Sequence, residues 1–398
     1  MDLTSPASRS GRNVFAVFLC GAFAFLDLYC TQPLLPMLSH FFHVTEAQVG
    51  ITISASTVGV AVSAILLALF GERFSRKPVI LGAMALLGVF SVLTASAHTL
   101  GALAIWRLLQ GLATPGIFII TIAYITEEWP AEQVPRVMSA YVAGTVFGGF
   151  IGRLLGGIIA DHLGWNAVFI ALGSFELVGV ALVARLLAPA HSRQARRTAS
   201  VFKPLLDNLR NPRLLATFLI GFCMLFTLIS TFNFVTFYLA ANPFLLSTSE
   251  LSWLFAVYLV GLVATLGVGR ILTRIGLRNG MLLAVSLGIG GILITLIPSL
   301  PVVGLGLAAA SSGVFIAQTC ANSFIRDAAP MGGRVSAAGM YICSYYIGGT
   351  VGGMLPGLVW RAAGWPGCVA LIAAVLLVAA VTTWFGWRHR PIPDPIPV

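Results

Sequence analysis

Residues 148–165 read GGFIGRLLGGIIADHLGW, and residues 348–365 read GGTVGGMLPGLVWRAAGW. The two stretches align without a gap at an offset of 200 residues, with identical residues at Gly148/Gly348, Gly149/Gly349, Gly152/Gly352, Gly157/Gly357, Gly164/Gly364 and Trp165/Trp365. Pro130/Pro330 and Tyr141/Tyr341 keep the same offset. Glycine is common in this chain, so one or two matches could arise by chance. A set of matches in one register indicates an internal duplication.

The composition of the 398 residues predicts a membrane protein. Hydrophobic residues make up 58% and charged residues 9%, whereas about a quarter of the residues of a soluble domain are charged. The net charge is +10, but the basic residues form short clusters between apolar runs, so we expect no nucleic-acid partner. The six cysteines lie inside apolar runs without C-x-x-C spacing, which is typical of buried free thiols.

Twelve apolar windows are long enough to cross a bilayer. With the N-terminus inside, 20 of the 23 basic residues lie in the cytoplasmic segments or at the span ends next to them. This asymmetry predicts a multi-pass protein with both termini in the cytoplasm. The predicted spans are 13–38, 47–70, 79–98, 100–124, 137–160, 166–188, 214–240, 250–272, 279–298, 301–324, 335–359 and 366–386.

The longest polar segment lies between the sixth and seventh spans, at residues 188–213. We therefore predict an all-α membrane protein of twelve transmembrane helices in two pseudo-symmetric six-helix bundles. Residues 1–188 and 214–398 would form the bundles, and residues 189–213 a cytoplasmic linker. Such repeats are typical of secondary transporters, in which one half moves against the other around a site near the membrane centre.

Four ionisable residues lie inside the predicted spans: Asp27, Arg107, Arg153 and Glu176. A charged residue at a helix centre costs roughly 2.5–3.5 kcal/mol even on the most lenient insertion scale, so each needs a partner or a water-filled cavity. At about 1.5 Å per residue, Asp27 and Arg107 both lie roughly 20 Å from the inner surface, so they should meet.

A paired carboxylate inside a membrane can serve either coupling or packing. Pairing with Arg107 favours the charged form of Asp27 and desolvation favours the neutral form, so the group could exchange a proton during transport. Alternatively, the pair is static and only fixes helix packing. Glu176 could be a second proton site or a hydrogen-bonding neighbour. Arg153 could bind an anion, or its long side chain could extend outward or reach Asp161.

Several uncharged residues give weaker signals. Gly144, Gly148 and Gly152 have the i, i+4 spacing that permits close helix approach. Phe226 ends an aromatic stripe in the seventh span that could line a substrate pocket, face lipid or pack in the core. The polar candidates for substrate contact, which could equally bond neighbouring helices, are Gln110, Asn233, Gln318 and Asn322.

The loop between the second and third spans, ALFGERFSRKPVI at 68–80, has a counterpart in GRILTRIGLRNGM at 269–281. Its layout resembles the loop motif of the major facilitator superfamily, although Ala68, Ser75 and Thr273 depart from it. The resemblance implies an inner gate, whereas a basic loop could also serve only as a topological anchor. The gate residues implied are Glu72, Arg73, Arg76 and Lys77, with Arg274 and Arg278 in the second half.

Two further motifs resemble the same superfamily. Arg107, Gln110 and Gly111 match its Arg-x-x-Gln-Gly motif, which implies a role in proton coupling. The sequence GTVFGGFIGR at 144–153 is similar to the signature of the exporter branch, except at Gly149 and Arg153. With YCTQPLLP in the first span and TFNFVTFYL in the seventh, the chain resembles bacterial drug or metabolite:proton antiporters of the YnfM-like branch.

The resemblance implies a proton-coupled antiporter in a bacterial inner membrane that exports a drug, sugar, siderophore or metabolite. The alternatives are an importer or uniporter of a small organic anion, and a non-transporting receptor or scaffold. The sequence has no G-x-x-x-x-G-K-[ST], H-E-x-x-H or G-x-S-x-G motif. We expect no enzymatic activity, cofactor or metal. The expected partners are the substrate, protons and membrane lipid, with the protein a monomer.

Overall fold

The computed structural model describes residues 6–70, 75–130, 132–189, 202–330 and 333–387, and all regular elements in these ranges are helical. Besides a 3-10 turn at Leu254–Ala256, the helices are α1 (Pro6–Leu26), α2 (Leu35–Phe42), α3 (Glu46–Val49), α4 (Ile51–Phe70), α5 (Arg76–Thr94), α6 (Leu100–Glu128), α7 (Val134–Leu163), α8 (Trp165–Leu186), α9 (Phe202–Arg210), α10 (Pro212–Ala240), α11 (Thr248–Trp253), α12 (Val257–Ile294), α13 (Leu300–Ala328) and α14 (Arg334–Gly386).

Within the described residues, ten helical stretches are long and apolar enough to cross a membrane. One of them, Ser336–Gly386, contains two spans because the backbone breaks at Gly364. The shorter apolar helix Gly11–Leu26 supplies one more. The prediction of an all-helical protein with twelve membrane-crossing segments is therefore confirmed.

The duplication seen in the sequence is present in the helix breaks. Gly164 between α7 and α8 has a φ of 84°, and Gly364 inside α14 has a φ of 58°. Residues with a Cβ rarely adopt such angles, so glycine is required where the chain reverses. The next residue, Trp165 or Trp365, is buried at both positions.

The same offset governs how α1 packs on α7 and α10 on α14. A Cβ at Gly148 would collide with the backbone of Ala22, and one at Gly348 would collide with the backbone of Phe222. Gly152 faces Leu26 in the first half. Gly144 packs in the same way against the backbone of Phe18, and Gly352 against that of Phe226. The glycine ridge thus brings the helix backbones into the close contact that its spacing predicts.

The prediction of one continuous helix over 13–38 is wrong. Helix α1 ends at Leu26, and residues 27–34 form successive turns before α2 begins at Leu35. Pro33 has no N–H to donate to a helical ladder, and it disfavours helical geometry at the residue before it. The carbonyl groups of Asp27 and Leu28 are bound instead by a side chain of another helix, Arg107 of α6.

The segment predicted as a linker contains a helix. Helix α9 spans Phe202–Arg210, and its Asn208 Nδ2 donates to the carbonyl of Gly333 and to Ser336 Oγ, at 2.9 and 2.7 Å. This side chain holds the end of the connection against the start of α14. Residues 190–201 lie outside the described ranges.

Candidate functional site

A cavity of about 460 Å³ lies between the two halves of the chain. Small-molecule sites commonly enclose about 300–1,000 Å³. Six lining residues are aromatic, and Arg153 is the one charged residue among the described residues of the wall. The lining residues are Phe25, Tyr29, Val142, Thr145, Val146, Gly149, Arg153, Leu225, Leu228, Tyr258, Leu262, Thr265, Phe315, Gln318, Thr319, Asn322, Tyr345 and Tyr346.

The cavity lies nearer to one end of the molecule, which we call the basic face because Arg76, Arg136, Arg213, Arg326 and Arg334 lie there at helix ends. Its α13 residues, from Phe315 to Asn322, belong to the part of that helix that ends at this face.

The opposite end is closed by contacts between the halves. Gln32 Nε2 donates to Asn233 Oδ1 at 3.0 Å, and Ser54 Oγ donates to the carbonyl of Thr350 at 2.7 Å. Thr57 and Thr350 share a hydroxyl hydrogen bond. On the same side, Gly353 packs against Ser54, and Gly357 packs against Ala47. Among the described residues, these contacts separate the cavity from the face opposite the basic face.

Arg153 lies at the end of the cavity next to the closed side. Its Nε donates to Gln32 Oε1 at 2.7 Å, and its Nη1 donates to the carbonyl of Gly149 at 2.5 Å. The guanidinium carbon lies 4.8, 5.0 and 4.9 Å from the ring centroids of Tyr29, Phe255 and Tyr258. Tyr29 belongs to the first half of the chain and the other two rings to the second.

The aromatic rings stabilise the cation of Arg153 without neutralising it. A cation–π contact contributes about 0.5–2 kcal/mol, so three rings offset part of the cost of burying the charge. No carboxylate pairs with Arg153 among the described residues. The alternative in which its side chain extends outward or reaches Asp161 is not what the structure contains, since Arg153 is only 3% exposed and the rings of both halves enclose it.

Arg107 is fully buried and holds the turn that follows α1. It donates from Nη1 to the carbonyl of Asp27 at 3.0 Å, from Nη2 to the carbonyl of Leu28 at 2.5 Å, and from Nε to the carbonyl of Thr52 at 3.3 Å. Nη1 also donates to Gln110 Oε1 at 2.7 Å. Arginine's rigid fork of donors suits such a set of diverging acceptors.

The expected pairing of Asp27 with Arg107 is present, but it is loose. Arg107 Nη1 lies 3.6 Å from Asp27 Oδ1, which is within ion-pair distance and outside hydrogen-bond distance. Oδ1 accepts a hydrogen bond from Cys30 Sγ at 3.2 Å, and Oδ2 has no protein partner within the described residues. Arg107 is therefore bound mainly to backbone, and the Asp27 carboxylate keeps unused acceptor capacity.

Glu176 of α8 belongs to the same buried cluster. Its side chain is fully buried, and it interacts electrostatically with both Asp27 and Arg107. Neither carboxylate oxygen has a protein hydrogen-bond partner in the described part of the chain. The alternative in which Glu176 only hydrogen-bonds a neighbour is therefore not what this conformation contains. Two carboxylates and one guanidinium share one water-excluded region.

Comparisons with known proteins agree with this architecture. The family model described as Major Facilitator Superfamily matches residues 17–330 and 222–397. The chain belongs to the major facilitator superfamily. The transporter is 29% identical over 382 residues to the MFS-type transporter YybF of Bacillus subtilis (strain 168), covering 96% of this chain and 94% of YybF. It is 31% identical over 372 residues to the inner membrane transport protein YnfM of Escherichia coli (strain K12), covering 92% and 88%.

Two solved structures share the fold of the transporter at 16% sequence identity. A mutant of the nucleoside transporter NupG gives a TM-score of 0.77, covering 94% of this chain and all of that one. A bacterial homologue of the human lysosomal transporter Spinster, in an inward-facing and occupied conformation, gives 0.76, covering 96% and 97%. At this identity the likeness concerns the fold alone. Family membership favours transport over the receptor or scaffold alternative.

Three of the predicted substrate residues line the cavity and three do not. Arg153, Gln318 and Asn322 are in the wall. Gln110 is instead held between Arg107 and Thr94, to whose hydroxyl its Nε2 donates at 3.1 Å. The other two, Asn233 and Phe226, are buried and do not line the cavity.

Asn233 accepts the hydrogen bond of Gln32 on the closed side of the transporter, so its oxygen is already used. Phe226 stacks on Phe222 at 6.2 Å between ring centroids, on the face of α10 that Gly352 of α14 covers. Of the alternatives for this stripe, Phe226 shows core packing, because it is buried against α14 and does not line the cavity. Leu225 and Leu228 face the cavity instead.

The described gate candidates of the first half bond to their own half. Arg76 forms a two-pronged ion pair with Glu127 of α6, at 3.0 and 2.7 Å. Lys77 Nζ donates to the carbonyls of Ala184, at 2.8 Å, and Leu187, at 2.5 Å, at the end of α8. Lys77 thus caps the last helix of its bundle, where a cation is favoured by the helix dipole.

The second half repeats this cap. Arg278 Nη2 donates to the carbonyl of Trp384 at 3.0 Å, and its guanidinium lies 4.2 Å from the Trp384 ring centroid. Trp384 is the repeat equivalent of Ala184 at the offset of 200. Arg274 is exposed at the basic face, and Glu72 and Arg73 lie outside the described residues. In this conformation Lys77 and Arg278 therefore bind within bundles rather than across them.

The sequence analysis missed Gln32 and the ring cage of Arg153. Gln32 is a polar residue in an apolar run, the same signal that singled out Asn233, so it could have been found. Tyr29, Phe255 and Tyr258 give no such signal, because their convergence depends on how the two halves face each other.

Proposed function

We propose that this transporter is a proton-coupled antiporter that exports a small organic molecule by alternating access through the central cavity. The observation that carries the proposal is the buried cluster of Asp27, Glu176 and Arg107. In the proposed orientation the protein lies in a bacterial inner membrane with the basic face and both termini in the cytoplasm. The cavity then faces inward, ready to receive substrate from the cytoplasm.

The charge of the cluster supports the proton step. Two ionised carboxylates beside one guanidinium would leave a net negative charge in a fully buried region, which is costly in a low-dielectric interior. One bound proton makes the cluster neutral. Release of that proton is favoured when the conformation admits water, so the cluster can load and unload as access alternates.

The cluster is linked to the cavity through the turn at residues 27–34. Arg107 binds the carbonyls of Asp27 and Leu28, and the same turn carries Tyr29 and Gln32. Gln32 bonds Arg153 in the cavity wall and Asn233 across the closed side. A change of protonation that shifts this turn therefore acts on the wall and on the closure together, which is the two-state element that coupling needs.

The test uses vesicles with a pH-sensitive dye and a compound that stabilises the purified transporter in a thermal-shift screen. In the proposed mechanism, Asp27→Asn binds the compound but loses transport driven by a pH gradient, and Glu176→Gln weakens it. Asp161→Asn is the matched control, since Asp161 is an exposed carboxylate of the same half. Full gradient-driven transport by both Asp27→Asn and Glu176→Gln would refute proton coupling by this cluster.

One observation favours a second candidate, an importer or uniporter of an organic anion. Arg153 gives the cavity a positive charge, which attracts an anion whichever way it moves. The direction of flux in vesicles of known orientation separates the two candidates. Uphill export of the substrate driven by an inward proton gradient supports antiport. Downhill flux of the substrate that the proton gradient does not change supports uniport.

A further inference from the structure

We infer that the substrate is an organic monoanion with an apolar, ring-containing body, and that its anionic group binds Arg153. The inference rests on the proposed function only in taking the central cavity as the transport site. It holds for either direction of transport and with or without proton coupling.

The charge of the cavity wall selects the sign of the substrate. Arg153 is the one charged residue in the described wall, and it has no carboxylate partner among the described residues. The carboxylates of Asp27 and Glu176 lie in the neighbouring cluster and do not line the cavity. An anionic group would supply the counter-ion that Arg153 lacks, whereas a cation would meet like charge without a carboxylate to hold it.

The hydrogen bonds of Arg153 leave part of its fork free. Nε is bound to Gln32 and Nη1 to the carbonyl of Gly149, while Nη2 makes no hydrogen bond within the described residues. A carboxylate or similar oxyanion is the group that this free edge binds best, because charge-assisted hydrogen bonds to arginine are short and strong. A single guanidinium balances one negative charge, so a polyanion would remain uncompensated.

The other lining residues indicate the uncharged part of the substrate that the cavity suits. Aromatic rings from both halves and leucines of α10 and α12 surround the space next to Arg153. The neutral polar groups of the wall include Gln318, Thr319 and Asn322 of α13. The cavity therefore offers one charged anchor, a ring-lined middle and a neutral polar edge, which excludes highly hydrated solutes such as free sugars as the best ligands.

Equilibrium binding to purified transporter tests the inference without any gradient. The probes are three carboxylates of increasing size, benzoate, 1-naphthoate and 4-biphenylcarboxylate, each compared with its neutral amide, and the cation 1-naphthylmethylammonium. We expect at least one carboxylate to stabilise the protein thermally, with its amide and the cation binding at least about tenfold more weakly, as for loss of one charged hydrogen bond.

The variant Arg153→Gln should bind that carboxylate at least about tenfold more weakly while keeping its weak binding of the amide. Arg153→Lys should recover part of the affinity. Arg361→Gln, which removes an exposed arginine, is the control and should bind as wild type does. If Arg153→Gln does not fold, the comparison of carboxylate, amide and cation on the wild-type protein decides alone.

The inference is overturned if no carboxylate binds better than its amide, if the cation binds best, or if Arg153→Gln keeps full carboxylate affinity. Its failure is separate from that of the proposed function. Carboxylate binding with no effect of Asp27→Asn on gradient-driven transport would retain the monoanion and refute proton coupling. The opposite result would retain coupling and refute the substrate class.

Discussion

Replacing Arg107 by lysine separates its two roles, because the charge is kept and the fork of donors is lost. One ammonium nitrogen cannot occupy the positions of Nε, Nη1 and Nη2 at once, so we expect about two of the four bonds to the carbonyls of Asp27, Leu28 and Thr52 and to Gln110 to break. Hydrogen bonds inside membranes contribute about 0.6 kcal/mol on average and up to about 1.7 kcal/mol. Arg107→Lys should therefore lower the free energy of unfolding by about 1–3 kcal/mol.

The assay is equilibrium unfolding in mixed dodecylmaltoside and SDS micelles, with Arg361→Lys as the control for an exposed arginine. Asp27→Asn should cost less than Arg107→Lys, because the backbone carbonyl of Asp27 remains and Glu176 still supplies a counter-charge. The reasoning is refuted if Arg107→Lys is as stable as wild type while Asp27→Asn is strongly destabilised. That outcome would mean that the ion pair, rather than the backbone bonds, holds the turn.

Two further predictions concern helix packing and closure. Gly148→Leu should abolish folding or detergent-stable expression, measured by size-exclusion chromatography, because its side chain would collide with the backbone of Ala22. Gly82→Leu, at a glycine with open space around it, is the control and should express normally in the same assay. Asn233→Ala removes the hydrogen bond that Gln32 donates between the halves. At about 0.6 kcal/mol per bond, the population of molecules open on the face opposite the basic face should rise about threefold, measured by distances between spin labels on the two halves. An unchanged distance distribution would show that this bond does not stabilise the closed side.

The sequence predicted the number of membrane crossings because the signals involved are local. The length of each apolar run, the basic residues at loop ends and the spacing of the glycines can each be read from the sequence without knowing which helices are neighbours. The bundle boundaries at 188 and 214, the inner-membrane location, the monomeric state and the roles of the cluster residues stay predictions.

The site was predicted less well because it depends on which side of each helix faces the cavity. The meeting of Asp27 with Arg107 followed from depth alone, since both residues had to find partners. The break after Leu26, by contrast, depends on carbonyls bound by a side chain 80 positions away. The cage around Arg153 and the buried position of Phe226 could not be predicted for the same reason, since the rotation of a helix about its axis is set by its packing against other helices rather than by hydropathy.

The repeat that organises this fold has kept its packing and lost its chemical symmetry. At the offset of 200, the positions of Asp27, Arg107, Arg153 and Glu176 are occupied in the second half by Thr227, Leu307, Gly353 and Leu376. These four charges thus all belong to one bundle. If the halves rock as bodies, only the movement of the first half carries these charges through the electric field of the membrane. Any contribution of these four side chains to the voltage sensitivity of transport would therefore come from that half, and the second half could diverge in its cavity residues without changing that contribution.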